Sequence, residues 1–307
     1  MKAAIQAGIL SLIVICFVTI SGAWYISSGL LQPEKTKCDK ENYVYCGTPA
    51  ELGLRYRNTI IRTVDDVAIS AWYIPGEKNY PGIVLIPGIG DTRHVGLRYA
   101  PSLHAAGFNL LLIDLRNSGK SGGHFNSMGY HERKDVHAAI NHLLYRRRAS
   151  SAGVFGFSTG AGIAILAMAE NKNIKVGVFE SGFTNFDSVV SNELTRQYGT
   201  KASILYPLIT GLFQIRSRAE IASLNPQQAI AKISPRPVFV IHGNADPVVD
   251  FKQGKSLFVA AKQPKRFWPV FNSGHVQSWQ ADKQRAEKEI PSFFASHLKF
   301  PQPPPVR

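Results

Sequence analysis

A serine hydroxyl becomes a useful nucleophile when a base takes its proton and a carboxylate orients that base. The run Gly156-Phe157-Ser158-Thr159-Gly160 offers such a serine in the pattern G-x-S-x-G, after the apolar Val154-Phe155 and before an alanine-rich helical stretch. Strand, sharp turn and helix in that order turn a weak pattern into a specific one. Both glycines have a steric reason. Ser158 must sit on a strained turn, and a side chain at 156 or 160 would collide with the neighbouring helix or strand. The competing reading is a glycine-rich turn holding an ordinary serine, and the partners decide between the two.

Two partners stand at the ends of later apolar runs. Asp246 lies in His242-Gly243-Asn244-Ala245-Asp246-Pro247-Val248-Val249, and His275 lies in Asn272-Ser273-Gly274-His275-Val276. Taken singly, Asp246 before Pro247 also reads as a turn residue, and His275 as a surface-loop histidine. Together with Ser158 they give the order serine, acid, histidine, each group beyond its own strand. Asp250 is the second choice of acid. Asp187 fits less well, and Asp114 precedes the serine and is expected to order its own loop. The negative charge that develops on a substrate carbonyl needs two main-chain donors. These are assigned to Thr159, just after the serine, and to Ile89 in Gly88-Ile89-Gly90. This chemistry calls for no metal and no cofactor, and Cys16, Cys38 and Cys46 have no metal-ligand spacing.

The elements that must position these groups alternate along the chain. Residues 55–63 and 67–74 read as an antiparallel hairpin across Asp65-Asp66. Gly82–Pro87 and Asn109–Asp114 are unbroken apolar runs, as in strands buried on both faces. A helix is expected near Tyr99–Ala106, and another over Tyr130–Arg147 with Val136, Ala139, Ile140, Leu143 and Leu144 on its buried stripe. Val176–Glu180, Pro237–His242 and Arg266–Phe271 complete the strands. Helices are expected near Gly254–Ala261 and over Asp282–Leu298. The fold class is therefore α/β, a mostly parallel doubly wound sheet with antiparallel first strands. Ser181–Ser234 reads as an irregular insertion, and the tail Pro301-Gln302-Pro303-Pro304-Pro305 as extended.

The 307-residue chain carries a net charge of +14 and 45% hydrophobic residues, enough for a large core. No basic arm interleaved with aromatics points to nucleic acid; a basic surface beside a bilayer accounts for the charge. Residues 3–26 are uncharged and apolar, with Trp24-Tyr25 where an interfacial belt would fall. A retained membrane anchor is favoured over a cleaved signal peptide because the apolar run continues past Ser21-Gly22-Ala23. A disulfide between Cys38 and Cys46 would place the body outside the cytosol, whereas Lys35, Lys37 and Lys40 argue for the other side. An extracytoplasmic body is the expectation.

Asp114-Leu115-Arg116-Asn117-Ser118-Gly119-Lys120-Ser121, Gly129-Tyr130, Asp135-Val136, the Ser158 pentapeptide, the His242–Val249 run and Ser273-Gly274-His275 fall in a known order. Over residues 54–298 the chain resembles the α/β-hydrolase superfamily, specifically its membrane-anchored Bem46/ABHD13/ABHD17-like serine hydrolases. The resemblance implies Ser158 as nucleophile, Asp246 as acid and His275 as base. It also implies that 181–234 is a cap whose apolar and basic residues, Arg196, Arg216 and Arg218 among them, cover an acyl chain and hold an anionic head group, or simply pack the cap on the body. Two departures stand out: Pro87-Gly88-Ile89-Gly90 lacks the histidine many relatives carry, and Thr159 replaces their Met, Leu or Gln. The expected activity is hydrolysis of an acyl ester or thioester, lipids included, by a membrane-tethered enzyme. A serine peptidase of the same fold and a non-catalytic membrane-bound scaffold are the alternatives.

Overall fold

The computed structural model describes residues 1–39 and 43–300, so the proline-rich tail lies outside the described residues. Its centre is an eight-stranded sheet in the order β1-β2-β4-β3-β5-β6-β7-β8. The strands are β1 (Arg57–Arg62), β2 (Ala68–Ile74), β3 (Gly82–Ile86), β4 (Asn109–Ile113), β5 (Ala152–Phe157), β6 (Ile174–Glu180), β7 (Val238–Gly243) and β8 (Lys265–Val270). β1 pairs antiparallel with β2 and β2 with β4, while β3 to β8 run parallel. The edge strand β1 buries alternate residues, and β3 and β4 are buried throughout. Continuous apolar runs require cover on both faces of a sheet, and the helices provide it.

Strand alternation sorts the core into two layers. Val84, Ile86, Leu111 and Ile113 pack into one cluster, and Ile83, Leu85, Leu110 and Leu112 into the other. The helices are α1 (Lys2–Leu31), α2 (Ala100–Ala105), α3 (Glu132–Asn141), α4 (Thr159–Glu170), α5 (Phe186–Tyr198), α6 (Tyr206–Ser217), α7 (Pro226–Ile230), α8 (Phe251–Ala260), α9 (Ser278–Ala281) and α10 (Lys283–His297). α4, apolar all round, is the most deeply enclosed and contacts β5 and β6. The stretch expected as one helix to Arg147 is α3 followed by a π-helical turn over His142–Arg146.

The segment between β6 and β7, expected to be irregular, holds the helices α5, α6 and α7 with short 3-10 turns between them. Asn185 caps α5 through Ser188 N–H and Asn225 caps α7 through Gln228 N–H, a common way to satisfy the first turn. Phe186, Val190 and Leu194 are buried at helical spacing on α5, as are Ile209 and Phe213 on α6. Ahead of the sheet, α1 is long and apolar enough to cross a membrane over Ala4–Leu31, and Cys38 and Cys46 are joined as a disulfide.

Candidate active site

Strand order reverses between β3 and β5, because β4 lies beyond β3 on one side and β6 beyond β5 on the other. In an open α/β sheet the crevice at such a switch point, outside the carboxyl ends of the strands, is where ligands bind. Ser158 leaves the end of β5 there and Gly88-Ile89 leaves the end of β3. Ser158 has φ 54° and ψ −125°, a strained conformation for a residue with a side chain. The flanking glycines permit it. A Cβ at 156 would lie 2.4 Å from the Gly160 carbonyl oxygen, and one at 160 would lie 2.2 Å from that of Pro87.

The three expected side chains meet. Asp246 Oδ2 lies 2.8 Å from His275 Nδ1, and His275 Nε2 lies 2.8 Å from Ser158 Oγ. An ionised carboxylate only accepts, so Nδ1 carries the proton and Nε2 is left to accept from the serine hydroxyl. The Asp246 side chain is fully buried and that of His275 is 21% exposed. Burial alone would raise the Asp246 pKa. The hydrogen bond and charge of His275, with the Val249 and Val248 N–H groups, outweigh burial and hold the carboxyl below its ordinary range. Asp246 Oδ1 accepts both of those N–H groups at 2.9 Å. Asp246 thus holds its own turn through one oxygen and contacts His275 through the other. Asp250 instead caps α8 through Lys252 N–H. Asp187 accepts from the Tyr206 hydroxyl. Asp114 orders its own loop, as expected, by accepting from Lys120 N–H, and ties it to the segment after β3 by accepting from Arg93 N–H and pairing with the Arg93 guanidinium at 2.9 Å.

The donors expected for the oxyanion are less simply arranged. Thr159 opens α4, where helix geometry leaves N–H groups without intrahelical partners. The Ile89 N–H, however, donates at 2.6 Å to the Thr159 hydroxyl. The Thr159 hydroxyl thus occupies one of the two expected donors.

Several supporting residues are absent from the sequence reading. Glu180 ends β6, fully buried, and accepts from Tyr99 Oη at 2.8 Å and from Ser278 N–H at 3.0 Å and Oγ at 2.6 Å. Burial, and then the Glu180 charge, holds the Tyr99 phenol well above its usual pKa and keeps it a donor. Ser181 Oγ accepts from Val276 N–H, and Arg98 donates to the Val276 carbonyl at 2.7 Å. The loop carrying His275 is held from both sides. His242, wholly buried, donates Nε2–H to the Val249 carbonyl at 2.9 Å and stands 3.5 Å from Asp246 Oδ2. Its burial lowers its pKa and keeps the ring neutral. The available signal was an ionisable residue, Glu180 or His242, at the carboxyl end of a largely apolar strand.

The cleft above Ser158 encloses about 550 Å³, bordered by Phe183, by Val189, Asn192 and Arg196 of α5, and by Val248 and Phe251. Of the three arginines singled out in the insertion, Arg196 reaches this cleft. Arg216 turns instead to α1, and Arg218 follows α6 in a left-handed conformation.

The sheet, its switch point and the strained strand-to-helix turn define an α/β-hydrolase fold. The chain belongs to the prolyl oligopeptidase family, whose model matches residues 95–300. It is similar to the uncharacterized protein YqkD of Bacillus subtilis, 23% identical over 228 residues covering 73% of this chain and 74% of that one. It is also similar to the alpha/beta hydrolase domain-containing protein WAV2 of Arabidopsis thaliana, 25% identical over 249 residues, 76% of each. Among solved structures the esterase Pf2001 of Pyrococcus furiosus superposes with a TM-score of 0.70 at 23% identity, covering 88% of this chain and 99% of that one.

Proposed function

We propose that this chain is a membrane-tethered serine hydrolase that cleaves carboxylic esters or thioesters through an acyl-enzyme. The observation that carries the reading is the unbroken line of two 2.8 Å contacts from Ser158 through His275 to Asp246. His275 takes the Ser158 proton as the serine oxygen attacks the acyl carbonyl. The Thr159 N–H, with the Ile89 N–H once Thr159 Oγ releases it, faces the resulting oxyanion. The imidazolium, stabilised by Asp246, protonates the departing alcohol or thiol. Water then enters, gives its proton to His275 and releases the acid.

Retention of α1 is supported by Ala23 and Ser27, which are fully buried against the body. Cleavage after the small residues 21–23 would remove Ala23 from that packing and cut the helix ahead of Ser27. The Cys38–Cys46 bridge favours an extracytoplasmic body. The anchor with this site is the combination that suggests the Bem46-like branch.

The test is turnover of short-chain p-nitrophenyl esters and of acyl thioesters, with fluorophosphonate labelling of the full chain. Ser158→Ala is expected to abolish labelling and to lower turnover by about 10⁴-fold or more. Undiminished labelling of that variant would refute the site, and a folded wild-type chain that never labels would favour a scaffold. The family match supports a second reading, a serine peptidase. Cleavage of proline-containing fluorogenic peptides faster than of esters or thioesters would select it.

A further inference from the structure

Helix α1 has 30 residues, and at a rise of about 1.5 Å each it is longer than the hydrocarbon layer needs. About 20 residues cross that layer, so a span starting at Ala4 reaches the far interface close to Trp24. The burial of α1 changes at the same place. Phe17 and Val18 are 71% and 63% exposed, whereas Ala23, Ser27 and Leu31, four residues apart on one face, are buried against the body.

Their main neighbour is α6. The Arg216 guanidinium lies 3.9 Å over the Trp24 ring and donates to Ser28 Oγ at 2.9 Å and to the Trp24 carbonyl at 3.3 Å. A cation stacked on an interfacial tryptophan belongs where water and headgroups meet acyl chains. It fixes the depth of the end of α6. The adjacent Ile215 is 76% exposed, and Ile204, on the turn leading into α6, is 82% exposed. From α6 the contact continues inward. Phe213 packs on Phe186 of α5 with ring centroids 5.1 Å apart, and α5 turns Val189, Asn192 and Arg196 into the cleft. The chain leaving α1 also touches the loop after β3 that carries Ile89, where Thr36 N–H donates to the Gly90 carbonyl at 3.0 Å.

We propose that α6 rests in the headgroup layer of the leaflet into which α1 emerges, and that the cleft takes its acyl group from that same leaflet. The occupant of the exposed Ile204 and Ile215 side chains is lipid. The uncovered apolar length of α1 already demands a bilayer, and Arg216 ties α6 to the level at which that bilayer ends. The net charge of +14 favours an anionic surface there. The substrate half of the proposal rests on the hydrolase reading above, and the depth half does not.

The test uses the full chain in nanodiscs of phosphatidylcholine and phosphatidylglycerol. In a Cys16→Ser background, a fluorophore on Ile215→Cys is expected to be quenched by lipids spin-labelled near the headgroup and shielded from aqueous iodide. Quenching by iodide alone would overturn the depth assignment and point to a protein partner or to open solvent. The double variant Ile204→Asp and Ile215→Asp is expected to hydrolyse soluble p-nitrophenyl butyrate within about twofold of wild type, as surface changes do. Against p-nitrophenyl palmitate held in the same bilayer it should fall by about tenfold, the scale of losing apolar contact with the interface. The same ratio to wild type on both substrates would overturn the link between leaflet and cleft. A wild type unreactive to fluorophosphonate would defeat the hydrolase reading while leaving the depth measurement to stand or fall by itself.

Discussion

Two loops leave the same edge of the sheet with an aspartate just beyond an apolar strand, and they do opposite things with it. Asp114, which is 1% exposed, accepts one main-chain N–H from its own loop after β4 and, from Arg93 in the segment after β3, a second N–H and a buried guanidinium, so fixed donors close off the carboxylate. The loop after β7 spends one oxygen of Asp246 on its own turn and leaves the other to reach across to His275 on a different loop. The first arrangement is structural, because removing one partner of a buried ion pair leaves an uncompensated buried charge. The second orients an imidazole whose far nitrogen faces a serine. Burial and residue type are the same at the two positions. What separates them is whether the last acceptor site is closed by a fixed cation or by the His275 ring, the base of the proposed reaction.

The same conservative substitution at both positions separates these roles. Asp246→Asn keeps an oxygen for the Val248 and Val249 N–H groups, so the turn survives, but it withdraws the charge and can impose the wrong tautomer on His275. A fall of about 10³–10⁴ in kcat/KM with little change in Tm is expected, on the scale seen when the acid of such a triad is neutralised. Loss of activity only in proportion to loss of folded protein would erase the distinction. Asp114→Asn should do the reverse. It leaves Arg93, 3% exposed, buried without its counter-charge, which costs roughly 3–5 kcal/mol. Thermal unfolding is expected at a clearly lower temperature, while turnover per active site, counted by fluorophosphonate titration, stays near that of wild type.

How much of this could be read beforehand follows from what each part is made of. The Ser158 turn is legible because main-chain approach forces glycine at 156 and 160, and no other residue type meets that demand. Asp246 and His275 are legible because each follows a strand, and strands buried on both faces announce themselves as apolar runs. The helices of 181–234 are not, since the buried spacing of Phe186, Val190 and Leu194 on α5 is set among polar residues and Gly199, Pro207 and Pro226 read as breaks in the segment. The docked face of α1 is hidden for a different reason: a helix apolar all round carries no stripe to say which side meets protein. Glu180 and His242 act through contacts between distant strands and loops, which pattern alone does not reveal. The hydrogen bond between Ile89 and Thr159 depends on a side-chain rotamer, and sequence is silent on rotamers.

That last contact adds a third loop to the comparison, the one after β3, and yields the smallest expected effect. Ile89 N–H donates to Thr159 Oγ1 at 2.6 Å in the free protein, so an oxyanion must displace the hydroxyl to receive that donor. Exchanging one acceptor for another costs on the order of 1 kcal/mol, the net worth of a hydrogen bond. Thr159→Ala removes the competitor and leaves both main-chain N–H groups in place. An increase of about three- to fivefold in kcat/KM is therefore expected, with Thr159→Ser staying near wild type because it keeps the oxygen. A fall of about tenfold or more in the alanine variant, restored by serine, would assign the opposite role. The hydroxyl would then accept from Ile89 while donating its own hydrogen to the oxyanion, and this loop would resemble the one at Asp246, with one bond holding it in place and the other serving the reaction.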